Sequence, residues 1–200
     1  MDTLIKNMKA SGVLKTPEII NAFKAIDRRF FTPEDFKEYV YMDRPLPIGK
    51  NQTISQPTTV AFMLELLSAK KGDKVLDIGS GSGWTTALLC NIVTKDGSVL
   101  GLERVDELVK RGERNLLQFD LGAHCAIKKA TEKLGVPGDK FDKILVSASA
   151  ETTPEILFDQ LKIGATLVVP VKNSIFRFQK ISQSKIKQEE FPGFVFVPLI

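Results

Sequence analysis

Apolar positions recur with two different periods along this chain, and the change between them divides the sequence. Residues 1 to about 40 read as short helices, and Thr16-Pro17-Glu18 is a helix start with Thr as cap, Pro first and an acid in the first turn. "YMDRPLPIGKNQ", from Tyr41 to Gln52, carries two prolines and a glycine and is expected to be irregular. Val60, Met63, Leu64 and Leu67 then return at helical spacing and predict a helix opened by Pro57, whose missing N–H costs nothing there. Beyond it, strand and helix patterns alternate. "DKVLDIGSGSG" is a short strand running into a glycine loop, "WTTALLCNIVT" a helix, and "GSVLGLE" a strand. "VDELVKRGERNLLQFDLG" reads as an amphipathic helix with Gly122 after its end, and "FDKILVSAS" as a strand. "PEILFDQLK" is predicted as a helix and "ATLVVPV" as a strand, with "FRFQKIS" and "FVFVPLI" closing the chain as two more. Alternation predicts an α/β fold, a mostly parallel sheet with helices on both faces, and the strand-only ending predicts an antiparallel edge hairpin. No repeat or linker interrupts the 200 residues, which fit a single domain over 1–200.

Two stretches break the pattern in ways that packing does not explain. Gln52, Thr53, Ile54, Ser55 and Gln56, mostly polar, lead directly into the buried helix at Pro57. They are either a cap, through Ser55 or Gln56, or a site, and a capped helix is also a rigid mount for a hydroxyl. The second is the loop Gly79-Ser80-Gly81-Ser82-Gly83. It follows a strand, precedes a helix, and lies at the carboxyl end of the first parallel strand, where such sheets bind ligands. Glu103 ends the next strand, twenty residues beyond Gly83, a position from which a carboxylate grips ribose hydroxyls. Trp84 occupies the slot of the third glycine in a dinucleotide fingerprint. Asp77, two residues before Gly79, would repel a pyrophosphate but attract an amino group and a sulfonium. The pattern favours S-adenosylmethionine over NAD, and no Gly-Lys-Ser/Thr follows to make a P-loop.

Composition narrows the partners. The formal net charge is +4, but lysines and arginines are scattered among acids, and only "KISQSKIKQEE" is locally basic. Nucleic acid is therefore not an expected partner. The apolar runs are strand-length, and "MDTLIKNMKASGVLK" lacks the apolar core of a signal peptide, so neither membrane nor secretion is expected and the cytosol is the default location. Cys90 and Cys125 are far apart; Cys90 is read as a small core residue, and a disulfide is not expected. The one histidine, His124, sits in an expected loop, which leaves neither a zinc site nor a Ser-His-Asp triad.

The segments "RRFFTPEDF", "YMDRPLPIG", "QTISQP", "VLDIGSGSGW", "GLERVDELV", "FDKILVSASAETTPEILFDQLKIGATLVVPV" and "FVFVPL" resemble the protein-L-isoaspartate (D-aspartate) O-methyltransferases over nearly the whole chain. The glycine loop is shared with many methyltransferases; "PLPIGxxQTISQP" is much more specific. The resemblance implies a Rossmann-like methyltransferase fold, with residues 1–50 as a helical and substrate-loop segment and 51–200 as the S-adenosylmethionine-binding core. It implies methyl transfer to the free carboxylate of L-isoaspartyl residues, after which the ester favours succinimide formation and partial repair. It marks Ser55 as the active-site residue. Thr53, Ile54, Ser55, Asp77, Gly79, Ser80, Gly81, Gly83, Glu103, Arg104, Thr131 and Glu132 are expected around the cofactor, and Ile54, Ser55 and Val197 around the substrate. A carboxylate is already ionised at neutral pH, so no general base is required and the site's work is positioning. Asp43, which matches a family acid, is read as structural. The protein is expected to be monomeric, to bind no metal, and to act on isoaspartyl-containing proteins or peptides. One departure stands out: Ala130-Thr131-Glu132 lies where the family usually carries Gly-Asp-Gly before Gly135-Val136-Pro137, so either Thr131 or Glu132 must serve the adenine amino group. Three alternatives remain: a relative of the same fold with another methyl acceptor, a silent S-adenosylmethionine-binding protein or diverged weak enzyme, and an enzyme for a dedicated peptide.

Overall fold

The computed structural model describes residues 1–199. Five α-helices appear among them: α1 (Asp2–Ala10), α2 (Pro17–Ala25), α3 (Pro57–Leu67), α4 (Trp84–Val93) and α5 (Asp106–Leu116). A small hairpin, β1 (Leu46–Gly49) and β2 (Gln52–Ile54), precedes α3. The main sheet holds β3 (Lys74–Ile78), β4 (Ser98–Glu103), β5 (Cys125–Lys129), β6 (Phe141–Val146), β7 (Leu161–Val171), β8 (Ser174–Lys180) and β9 (Ile186–Pro192). Its order is β5-β4-β3-β6-β7-β8-β9, parallel from β5 to β7 and antiparallel beyond. The chain reverses its direction of travel across the sheet between β3 and β6, which is where open α/β sheets form their ligand crevice.

Successive residues of β3 face opposite cores. Val75 packs with Leu145, Val168 and Ile175 under the helices; Leu76 and Ile78 pack with Ile144, Val146 and Leu167 on the other face. The buried apolar residues of all five helices belong to the first of these clusters. The expectation of helices on both faces is thereby corrected. Right-handed crossovers place α4 and α5 on one face as the chain walks from β3 to β5, and the return through β6 and β7 uses the other face. There the cover is the loop carrying Leu134 and Val136 and a short 3₁₀ turn, Glu155–Gln160, with Leu157 buried. "PEILFDQLK" is thus no α-helix: Leu157 and Gln160, three apart, point inward together, and Leu161 already belongs to β7.

Four other expectations are corrected. The stretch from Tyr41 to Gln52 is not wholly irregular. Lys50 and Asn51 both have positive φ, the signature of a tight hairpin turn that lacks the usual Asn-Gly, and it joins β1 to β2. The helix expected to reach Gly122 ends at Leu116. The closing strand is β9, in the charged segment before Gly193; Phe194–Leu199 carries only an isolated bridge between Ser149 and Pro198. Gly193 at φ +98° turns the chain, and Pro198 has no N–H for a ladder. Charged residues suit an edge strand, since they discourage pairing with another chain. Finally, Cys90 and Cys125 form a disulfide. Cys90 is a core residue as expected, but α4 packs across β5 and brings the two Cα atoms to 5.9 Å, within bridging range. Their separation of 35 positions along the chain hid that proximity.

Candidate active site

Helix α3 begins where its apolar pattern begins, with Gln56 as N-cap residue, yet neither Ser55 nor Gln56 makes a side-chain cap. The cap comes from Asp43. Its carboxylate accepts from the Thr58 N–H at 2.9 Å, from Thr58 Oγ1 at 2.6 Å and from Gln56 Nε2 at 3.1 Å. Asp43 therefore serves structure, and the Ser55 side chain is released from capping. The carbonyls of the same stretch are held from below by Arg28. This side chain is fully buried and donates to Val40 O at 2.7 Å, Arg44 O at 2.9 Å and Ser55 O at 3.0 Å. Its guanidinium lies 5.4 Å from the Trp84 ring centre, and burial pulls its pKa down to about 10 despite the opposing pull of Asp43. Arg28 escaped the reading of individual residues; only its place in "RRFFTPEDF" marked it.

Two cavities meet beside this stretch. The first, of about 250 Å³, opens over the carboxyl ends of β3, β4 and β6. Gly79 and Gly81 contribute bare backbone to its floor, both at positive φ; a Cβ on Gly81 would sit 3.2 Å from Ile48. Glu103 stands on the opposite side. One of its oxygens accepts from the Gly81 N–H at 2.8 Å and the other from the Val105 N–H at 2.9 Å. These bonds fix the carboxylate plane and leave lone pairs for further donors. Thr53, Arg104, Thr131, Glu132 and Val197 also line this cavity. The second, about 430 Å³, is a groove lined by Pro45, Ser55, Gln56, Thr59, Val195 and Phe196. Thr53, Ser147, Val197 and Pro198 line both.

Several expected residues lie off the first cavity. Ile54, Ser55 and Ser80 face instead a small void of about 30 Å³ between the glycine loop and the Thr53–Ser55 stretch. Ser80 Oγ there is buried without a hydrogen-bond partner among the described residues. Gly83 is a packing glycine: a Cβ would come 2.9 Å from Ile127 and 3.3 Å from Gly112. Asp77 is fully enclosed behind the loop. It accepts from Thr86 Oγ1 at 2.6 Å and from Ser147 Oγ at 3.2 Å, and burial pushes its pKa up to about 6. Thr131 spends its hydroxyl on a local turn, donating to Lys133 O and accepting from the Lys133 N–H. Buried Gln160 went unnoticed in the sequence. Its side chain accepts from the Val136 N–H at 2.7 Å and donates to Leu134 O at 2.9 Å, holding the loop that closes one end of the cavity. A Cβ on Gly135 would strike it, which accounts for that glycine.

The profile of the family described as protein-L-isoaspartate(D-aspartate) O-methyltransferase matches residues 1–200. The chain belongs to this family. Among similar proteins, the protein-L-isoaspartate O-methyltransferase of Flavobacterium psychrophilum is 42% identical, covering 98% of this chain and 92% of its own. That of Ignicoccus hospitalis is 36% identical, covering 98% and 95%. A Plasmodium falciparum protein-L-isoaspartate O-methyltransferase solved with S-adenosyl-L-homocysteine superposes with a TM-score of 0.84 at 27% identity, covering 99% of this chain and 97% of that one. In this methyltransferase the cavity's own features fit such a ligand: a glycine floor without side chains, a fixed carboxylate with free lone pairs, and apolar walls from Ile78, Leu102 and Ala148. Among the described residues, no group of three potential metal ligands clusters, and no helix is long and apolar enough to cross a membrane.

Proposed function

We propose that the chain methylates the free carboxylate of L-isoaspartyl residues at the mouth where the two cavities meet. The observation that carries this reading is the position of Ser55: it lines the groove but not the glycine-floored cavity, while Thr53, Ser147, Val197 and Pro198 line both. S-adenosylmethionine, when bound, supplies an electrophilic methyl whose bond to sulfur breaks, leaving the electron pair on sulfur, as a bond to a carboxylate oxygen forms. Glu103 holds ribose hydroxyls through its remaining lone pairs, and the backbone of Gly79 and Gly81 permits close approach. Arg104, Thr131 and Glu132 flank the far end, where Glu132 is the better placed acceptor for an adenine amino group because the Thr131 hydroxyl is engaged in its own turn. Asp77 acts from behind the loop rather than by contact.

On the acceptor side, Ser55 Oγ donates to the carboxylate oxygen that does not attack. Its freedom to do so follows from the cap supplied by Asp43. No base is needed, since the substrate carboxylate arrives ionised. Val197 and backbone groups of the Ile54 loop hold the peptide extended, the Ile54 side chain itself facing the small void and not the groove; the C-terminal segment is fixed by Ser149 N–H to Val197 O at 2.8 Å and Leu199 N–H to Ser149 O at 2.8 Å. The same reading takes the enzyme as a cytoplasmic monomer that repairs damaged proteins without nucleic acid or membrane; the Cys90–Cys125 bridge is the feature that argues against a reducing compartment. The test is methyl incorporation into an isoaspartyl peptide and its aspartyl twin. Labelling is expected for the first alone, and equal labelling of both would reject the repair reading.

A further inference from the structure

Ser147 follows β6 directly and, among the described residues, is the one besides Thr53 that lines the donor cavity, the substrate groove and the small void together. Its backbone is fixed: the N–H donates to Ile78 O at 2.8 Å, and a Cβ on the neighbouring Gly79 would already lie in van der Waals contact with Ala148. The side chain is fixed as well. Asp77 can only accept when ionised, and its two oxygens take the hydroxyl protons of Thr86 and Ser147. Full burial of Asp77 keeps water from competing for those protons. A serine has one proton, so Ser147 Oγ retains only lone pairs to offer the cavities. A buried anion one hydrogen bond behind it makes that oxygen a stronger acceptor.

We infer that Ser147 is a catalytic residue of the methyl transfer and Asp77 its positioning residue: the Ser147 oxygen is a fixed acceptor at the mouth that favours a cationic methyl-bearing donor over the neutral thioether product. The inference rests on the reading that the donor occupies the glycine-floored cavity and the isoaspartyl chain the groove. At such a mouth an oxygen lone pair faces the positive methyl as it passes between the cavities, and a neutral hydroxyl oxygen repels the substrate carboxylate less than a bare carboxylate would. This assigns Asp77 a role different from direct contact with the donor's amino group, which its enclosure behind the loop precludes.

The decisive measurement needs no turnover. Calorimetry on the full chain compares S-adenosylhomocysteine with sinefungin, in which a carbon bearing an ammonium replaces the methylated sulfur. Ser147→Ala is expected to weaken sinefungin about tenfold, the loss of one charge-assisted hydrogen bond, and the thioether less than about threefold. Ser147→Thr, which keeps the hydroxyl, is expected to restore the preference. Asp77→Asn removes the buried anion and leaves one acceptor oxygen for two hydroxyls, and it should lower the sinefungin preference although Ser147 is intact. With the isoaspartyl peptide, Ser147→Ala should lower kcat/KM for S-adenosylmethionine about tenfold while the peptide KM stays within about threefold, because the contact is made to the donor and not to the peptide. Equal losses for both ligands, no loss for either, or failure of threonine to rescue would each overturn the inference. The wild-type peptide assay stands apart: labelling there, with an unchanged ligand preference in Ser147→Ala, removes the inference and leaves the family reaction in place.

Discussion

Breaking the Cys90–Cys125 bridge is the perturbation whose size the fold sets most directly. The two sulfurs join α4, which follows the glycine loop, to β5, the edge strand that leads into the Ala130–Glu132 wall. The bridge closes a loop of 35 residues. In the chain-entropy model, closing a loop of that length removes roughly 13 cal/mol/K from the unfolded chain, or about 4 kcal/mol at 25 °C. Unfolding a chain of 200 residues carries an entropy of about 420 cal/mol/K near its midpoint, so reduction should lower Tm by about 9 °C. Calorimetry with and without a phosphine reductant measures this. Because the loss lies in the unfolded chain, the denaturant m-value should rise on reduction as that chain expands. Cys90→Ala combined with Cys125→Ala should reproduce both changes, with a small further loss for the buried Cys90 sulfur. Equal midpoints for reduced and oxidised protein would refute the loop-closure argument. Titration of two free thiols in the unreduced native protein would refute the bridge.

Four further outcomes follow from the same contacts. Ser55→Ala should lower turnover far more than cofactor affinity, measured as kcat against calorimetric Kd, because Ser55 lies off the donor cavity; intact activity with a lower Tm would reduce Ser55 to a structural residue. Glu103→Ala should weaken S-adenosylhomocysteine by about 1.5–3 kcal/mol through lost charged hydrogen bonds, and unchanged affinity would remove Glu103 from the site. Asp77 has a folded pKa raised from 3.8 to about 6, so its contribution is fully present below about pH 4 and lost as pH rises through 6. Asp77→Asn escapes that loss, and its stability relative to the parent should improve by about 3 kcal/mol between pH 4 and 7.5 in denaturant titrations; a pH-independent difference would contradict the burial argument. Glu132→Gln should weaken cofactor binding by about 1 kcal/mol, since the adenine amino group then meets a neutral acceptor, and no change would mean that the loop satisfies adenine by another route.

The sequence alone determined what depends on neighbours along the chain. Apolar spacing placed Pro57–Leu67 as a helix, and the strand–glycine–helix order of Lys74–Val93 placed a ligand crevice at the end of β3. The local text "PLPIGKNQTISQP" distinguished the family, and the glycine pattern with Trp84 and Asp77 favoured S-adenosylmethionine over a dinucleotide. Tertiary structure decided whatever depends on which distant segments meet. Asp43, not Ser55 or Gln56, caps α3, because the loop carrying it folds back over the helix start. Arg28 becomes a buried support because five backbone carbonyls from two segments converge on it, and no side-chain pattern encodes carbonyl directions. Gln160 looked like one more polar helix residue until the Leu134–Val136 loop closed on it. The cysteines meet only because α4 lies across β5. Asp77 is the sharpest case: its charge and its distance from Gly79 are plain in the sequence, but the ring of Thr86 and Ser147 around it appears only when β3, α4 and the end of β6 are packed together. Periodicity reports which face of an element is buried, and burial then enforces whatever hydrogen bonds its polar groups can find, which are long-range and unwritten in local order.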